Sequence, residues 1–475
     1  MSILCDNSKT PLAVQLEPIV NIKSPYPSAT IFRLSAGPIR LSPMEFVRVT
    51  VKAVTESSSK PAILIAKPTL FRYPQIARAI ETFYIKGEPR NFESKLISNF
   101  LELNFDGETG FAQNLHNKIT RETHKLEIGF HYMNPSPKPG AAGAYIGCSF
   151  VSNEPLSKDP VELRVLRGAL SDEVTSYYPR VKHTLRFNKL DSAGRMALEV
   201  ENVVNLTNAN AMEVVMTIKT GINNHNGTFF TDSNCFQMIE RRYRTKIRQW
   251  GNVYPMSCAA FIEDETHRVT LLSGQPLGFM AGEKPGEMKV WLDRRTHIDD
   301  QRGLFESMTD NQPTRSLFRI LIERVSKPAK ASVVVPSLTA DAHFVLDDIL
   351  FPSAQFLVNT DSSKLKSTLS LMTGTGLPCD YDLVTMKTFF SKSERFNGLD
   401  SVTGSQLGMV LRHKVNGCGS TGLCGDICAC QSPTVSPMHL LASALNPHKS
   451  QSLFGDRTPY PTLSGHNCKS TRVPK

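Results

Sequence analysis

Nowhere in this chain does an unbroken apolar run approach the roughly 20 residues that a bilayer-spanning helix requires. No membrane span is expected. No glycine-rich phosphate loop is present, and no segment carries a sustained helical period with caps, which argues against an α/β barrel and a dinucleotide-binding fold. The opening residues MSILCDNSKTPLAV lack the basic start and apolar run of a secretory signal, being interrupted by Asp6, Asn7, Ser8 and Lys9. Read alone, the sequence therefore carries no secretory address. A basic stripe with interleaved aromatics is also missing: the net charge is +10, but Lys and Arg are scattered. A solvated basic surface is expected, and no nucleic-acid partner.

Paired C-x2–4-C zinc knuckles are absent too. Of ten cysteines, Cys418, Cys424, Cys428 and Cys430 run C-x5-C-x3-C-x-C, with Cys468 beyond them. That spacing points to disulfides or an unstructured tail rather than a metal site. Cys5, Cys148, Cys235, Cys258 and Cys379 are isolated in sequence and are expected as small buried hydrophobes.

What the chain does have is length and a β pattern. Its 475 residues allow two or three domains, since single cores stop growing at about 250–300 residues. With 40% apolar and 21% charged residues it is globular in composition. From about Thr10 to Ile85, short β-branched runs alternate with Pro, Ser and Gly, which predicts a small β-sandwich. Ile76, Ala79, Ile80 and Phe83 would also suit one helix face, but we read them as strand.

Leu101, Leu103 and Phe105 alternate with polar residues ahead of Asp106-Gly107, predicting a strand, a tight turn and a returning strand. Pro135, Pro137, Pro139, Gly140 and Gly143 then mark a loop, with Tyr145 at its exit. Evenly spaced strands are predicted between Val161 and Val325, including 198–204, 214–218, 269–272 and 318–322. In the last, Phe318, Ile320 and Ile322 face the core, leaving the other face at least partly wet. After Ser326 apolar density falls, and from Asn416 a Cys/Gly/Ser/Pro-rich tail is expected to be disordered. Asn205-Leu-Thr207 and Asn226-Gly-Thr228 are glycosylation sequons, which suit a lumenal protein but also arise by chance.

Three stretches carry a family resemblance: Phe229-Phe-Thr-Asp-Ser-Asn-Cys-Phe-Gln, then Asn252 to Asp264 with Leu271-Leu-Ser-Gly-Gln-Pro-Leu-Gly, then Trp291-Leu-Asp-Arg-Arg-Thr-His-Ile-Asp-Asp-Gln-Arg-Gly. In order and spacing they resemble the C-terminal β-domains of glycoside hydrolase family 38 α-mannosidases of the Golgi type. Looser similarity runs from about Ile19 to about Arg412. The resemblance implies an all-β chain: a small β-sandwich over 1–90, a large galactose-mutarotase-like β super-sandwich over 91–345 and a terminal β segment packing on it over 346–415, ahead of the tail over 416–475 that composition marks as disordered. It also implies a Golgi or secretory-lumen enzyme that removes α-linked mannose from N-glycans with an Asp nucleophile, an acid/base Asp and one zinc held by His and Asp.

Those carboxylates and ligands belong, in the family, to an N-terminal α/β domain and a following helical segment that would precede Met1. No catalytic residue and no metal ligand is therefore expected here, and zinc is implied only for the complete enzyme. A catalytic α/β domain supplied elsewhere is the implied partner. The only His-x-Asp triplet, His297-Ile-Asp299, lacks a companion motif and is expected to be a solvent-facing loop. By resemblance, Tyr145 and Arg294 or Arg295 fall on the rim that bounds bound mannose, where a phenol and a guanidinium could hold sugar hydroxyls or loops. For Asp299, Asp300 and Arg302 an ion network supporting the fold is the expectation. The alternative reading is a stand-alone carbohydrate-binding or protein-interaction β-sandwich.

Overall fold

The protein is described from a computed structural model. It describes residues 94–325 apart from 146, 148–149, 157–161, 191 and 248, then 336–356, and beyond these only the short stretches 2–5, 12–21, 24–39, 41, 45–52, 63–65, 67–70, 78–80, 83–87, 368–370, 381–389, 406–414 and 419–420.

Period-two patterning becomes two large, mostly antiparallel sheets. Leu101–Phe105 and Leu198–Val204 bury every second residue, as alternating strand side chains require. The first returns as Ala112–Asn117 through a turn in which the Asp106 carboxylate accepts the backbone N–H groups of Glu108 and Thr109. One sheet has nine strands, ordered Lys95–Ile97, Leu101–Phe105, Ala112–Asn117, Glu122–Pro135, Met212–Thr220, Glu287–Arg295, Leu277–Ala281 and Tyr254–Met256, with Phe150–Pro155 also on Glu122–Pro135. The other has thirteen, and its central run is Ala259–Glu263, His267–Ser273, Thr314–Val325, Leu198–Val204, Val181–Asn188, Ser171–Tyr177 and Glu162–Arg167.

Between the sheets lies one continuous apolar core, in which Leu103, Phe130 and Met216 of the first meet Leu185, Leu271 and Phe318 of the second. Phe318, Ile320 and Ile322 face this core as expected. The opposite face of their strand is wet only toward one end: Arg315 is exposed and Arg319 partly so, while Leu321 and Glu323 are buried. Helix Ala340–Leu350, which the sequence reading did not foresee, covers that face with Ala342, Val345 and Leu346, preceded by Leu338. Thr339 caps it by accepting from Ala342 N at 3.0 Å, and its hydroxyl donates to the Glu323 carboxylate at 2.5 Å.

The isolated cysteines need a correction as well. Cys235 and Cys258 form a disulfide rather than lying apart as buried thiols. Asp232 holds both ends of it by accepting from Cys235 N at 2.7 Å and Cys258 N at 2.9 Å. Cys148, Cys379, Cys418, Cys424, Cys428, Cys430 and Cys468 lie outside the described residues.

Earlier in the chain, Lys67–Leu70 pairs with Glu162–Arg167 and so extends the large sheet, followed by Phe83–Gly87 and Arg78–Ile80. Ala79, Ile80 and Phe83 are thus in strands, as read, and Ile76 lies outside the described residues. The Gln15 side chain accepts backbone N–H groups from Leu170 and Ser171, tying Ala13–Asn21 to the same region. Gly419–Ser420 pairs with Arg324 and Val325, the only strand described beyond residue 415. A separate compact unit contains the hairpin Tyr381–Phe389 with Gln406–His413.

Candidate functional site

Of the residues expected at a sugar rim, Arg294 and Arg295 lie where Met212–Thr220 pairs with Glu287–Arg295. Glu213 stands directly opposite Arg294, and the register slips by one residue between Val214 and Val215. In a regular strand Trp291 and Arg294, three apart, would face opposite sides. The bulge adds a residue, so both reach the same outer face. There the Glu213 carboxylate accepts from Trp291 Nε1 at 2.9 Å and from Arg294 Nε at 3.0 Å. Glu213 is 0% exposed, and its burial pushes its pKa up against the opposing pull of Arg294 and Trp291.

Aromatic stacking completes the fixture. The Arg294 guanidinium lies 4.6 Å from the Trp250 ring centre, and the Trp250 and Trp291 rings are 5.1 Å apart. Trp250 and Trp291 pack with Met133, Val215, Met280, Tyr243 and Val253 as a second small core on the outside of the sheet. A side chain at Gly147 would collide with the Trp250 ring, so only glycine fits that crossing.

Arg294 also fastens the proline-rich loop, donating from Nη2 to Gly143 O at 3.2 Å. A Cβ on Gly143 would meet Asp300, whose carboxylate accepts from Tyr145 N at 2.6 Å and from Arg302 N at 3.2 Å. Asp300 thus acts on backbone N–H groups, as does Asp299, which accepts from Gln301 N. The outcome is that Tyr145 is held by its backbone while its residue is 68% exposed.

Arg295 goes elsewhere, because it is on the other side of the strand. It donates to Ala209 O, Thr309 O and Asn311 Oδ1 and closes the base of the loop that carries His297. Tyr145 and Arg294 are therefore brought together, and Arg295 is not part of their group. His297 is exposed in that loop. Sequence reasoning missed Glu213, Trp250 and Trp291 as the fixture's other members. The Val290-Trp291-Leu292 run, which breaks alternation, was the signal available for the bulge.

Could this fixture hold the zinc implied by resemblance? It offers a guanidinium and two indoles, and its carboxylates are already committed to hydrogen bonds, so it does not fit a cation. Among the described residues two groups of potential metal ligands occur, Glu122/His124/His267 and Asp232/Cys235/Cys258, and neither is part of the fixture. In the second, both sulfurs are bonded to each other.

Residues 96–302 match the family described as "Glycosyl hydrolases family 38 C-terminal domain". The chain carries the C-terminal domain of glycoside hydrolase family 38. Its relatives include Alpha-mannosidase 2 of Mus musculus, 33% identical over 65% of this chain and 27% of that protein. The chain thus spans about a quarter of the length of that relative. Among solved structures, a family 38 glycosyl hydrolase from Enterococcus faecalis aligns over 87% of this chain and 47% of its own, at 10% identity and a TM-score of 0.48. A galactose mutarotase-related enzyme from Lactobacillus acidophilus aligns over 51% of this chain and 100% of its own, at 8% identity and a TM-score of 0.27.

Proposed function

We propose that this chain is the non-catalytic C-terminal part of a family 38 α-mannosidase that trims mannose from N-glycans, working with a catalytic α/β domain that holds the zinc. The observation that carries this reading is the clamp on Gly143 to Tyr145: a buried ion pair and two indoles fix a loop whose tyrosine is presented outward. Such an arrangement positions a phenol to meet a sugar hydroxyl but supplies no nucleophile. Retaining glycosidases need two available carboxylates about 5–5.5 Å apart. Here Glu213 and Asp300 are both buried and serve as acceptors for Arg294, Trp291 and backbone N–H groups.

A Golgi or secretory lumen is the compartment that goes with this reading. Asn205 and Asn226 are both exposed, so an oligosaccharide on either would extend into solvent. Among the described residues no helix is long and apolar enough to cross a membrane.

The test is direct. Purified chain with added zinc and an aryl α-mannoside should release aryl alcohol at the rate of buffer alone. Sustained turnover above buffer would overturn the non-catalytic role. Binding of mannosides in the absence of any second polypeptide would favour the stand-alone lectin-like alternative instead.

A further inference from the structure

At the far end of Glu122–Pro135 from the Arg294 fixture, the core changes character. Leu126, Ile128 and Phe130 fill the space between the sheets, and the same row continues as His124 and Glu122. Facing it, the inward row Val269 and Leu271 continues as His267, and Ile320 and Ile322 continue as Arg324. Two sheets packed on hydrocarbon therefore end in two imidazoles, a carboxylate and a guanidinium. Met133 lies opposite Glu213, nine residues along from His124, which at about 3.3 Å per residue separates cluster and fixture by roughly 30 Å.

We propose that Glu122, His124 and His267 form a binding site for a divalent transition-metal ion of the zinc type. One ligand atom from each of the three lies within 4.8 Å of the others. Glu122 Oε2 is 3.8 Å from His124 Nε2 and 3.6 Å from His267 Nε2. Ligands at roughly 2.0–2.1 Å around tetrahedral zinc stand about 3.3 Å apart, so each carboxylate–imidazole edge needs only a few tenths of an ångström of closure.

The carboxylate's two oxygens are engaged unequally. Arg324 donates to Oε1 through Nη2 and Nε and also, from Nε at 3.2 Å, to Oε2, while Oε2 is the oxygen nearer the imidazoles; the Arg324 side chain is largely in water, so it can give up the Nε–Oε2 contact to an ion and keep its hold on Oε1. Outer hydrogen bonds of this kind orient ligands at metal sites.

A hydrogen-bond relay sets the tautomer of His267. Asp264 Oδ1 accepts from Thr266 Oγ1 at 3.1 Å, which commits the hydroxyl proton to the carboxylate. Thr266 Oγ1, 2.8 Å from His267 Nδ1, is then the acceptor of the Nδ1 proton. That leaves a lone pair on His267 Nε2, an atom buried without a hydrogen-bond partner and facing Glu122. A ring nitrogen prepared in this way is what a metal ligand requires. The three side chains are between 21% and 24% exposed, which gives an ion an entry path and room for a water in the fourth position.

The experiment titrates the full chain with Zn2+ by calorimetry and with Co2+ by visible absorption. One ion per chain and the d–d bands of four-coordinate Co2+ are expected, with His267→Gln and His124→Gln weakening binding at least 100-fold. Thr266→Val keeps every ligand and removes only the relay, so it should fold normally and bind roughly 10–100-fold more weakly. Absence of saturable binding, undiminished binding in the histidine variants, or a thiolate-to-cobalt charge-transfer band placing the ion on cysteine would each overturn the site. If a histidine variant fails to fold, Thr266→Val decides, and wild-type affinity there counts against the proposal.

Discussion

Helix Ala340–Leu350 covers the outside of one sheet with Leu338, Ala342, Val345 and Leu346, whereas Tyr243, Trp250 and Val253 cover the outside of the other, Trp250 lying above an ion pair between buried Glu213 and partly buried Arg294. Both faces are dry, yet they are made dry in different ways. The helix contributes area removed from water, which is non-directional and tolerates small shifts. The ion pair is directional: it works only if Arg294, Trp291 and Gly143 all keep their places. A buried pair is weak evidence for stability but a good device for fixing one geometry. The clamp therefore belongs to the face that positions Tyr145, and the helix to the face that holds the sandwich together.

Breaking the directional face should have the largest effect. Glu213→Ala removes the acceptor that Arg294 Nε and the Trp291 N–H share, and a loss of about 3–5 kcal/mol is expected in denaturant unfolding. A loss under 1 kcal/mol would mean that the pair is solvated, and the contrast between faces would fail. On the apolar face, Leu346→Ala should cost about 2–4 kcal/mol by the same measurement, with no change in the Gly143 to Tyr145 loop.

The shared core supplies a reference that does not favour either face. His183 is fully buried against Phe111 and Phe130, donates from Nδ1 to Asn202 Oδ1 at 2.7 Å, and has its pKa pushed down to about 4 by desolvation. It is neutral when folded and titrates near its ordinary value when unfolded, so the unfolded chain takes up the proton first. Its contribution to stability is complete above about pH 6.5 and is lost progressively as pH falls toward 4, by about 3 kcal/mol in total. His183→Asn should flatten that part of the stability profile. Thr339→Ala, the mildest change, should cost about 1 kcal/mol through the lost helix cap.

Much of this was legible in the sequence, and the failures have physical causes. The strands around Leu101, Leu198 and Phe318 follow from period-two patterning alone. The helix escaped because it has only 11 residues and mixes Asp341, His343, Asp347 and Asp348 with its apolar stripe. Its signal was Thr339 as a cap, with Leu338, Ala342, Val345, Leu346 and Ile349 at helical spacing. Tyr145, Arg294 and Arg295 were singled out together by resemblance, and Arg295 could be separated from Arg294 only by knowing which side of the bulged strand each takes. The Cys235–Cys258 bond was hidden because sequence does not give connectivity. Glu122 and His124 meet His267 only through packing of the two sheets, across more than a hundred residues of chain.

Hydrogen–deuterium exchange in Arg294→Lys tests the contrast most directly, since lysine keeps the charge but loses the planar fork that reaches both Glu213 and Gly143 O. Amides of 138–145 should exchange about tenfold faster, the equivalent of one hydrogen bond of about 1–1.5 kcal/mol, while those of 340–350 keep their wild-type rates. Unchanged exchange in 138–145, or equal acceleration in both segments, would contradict the claim that this pair exists to hold the Tyr145 loop.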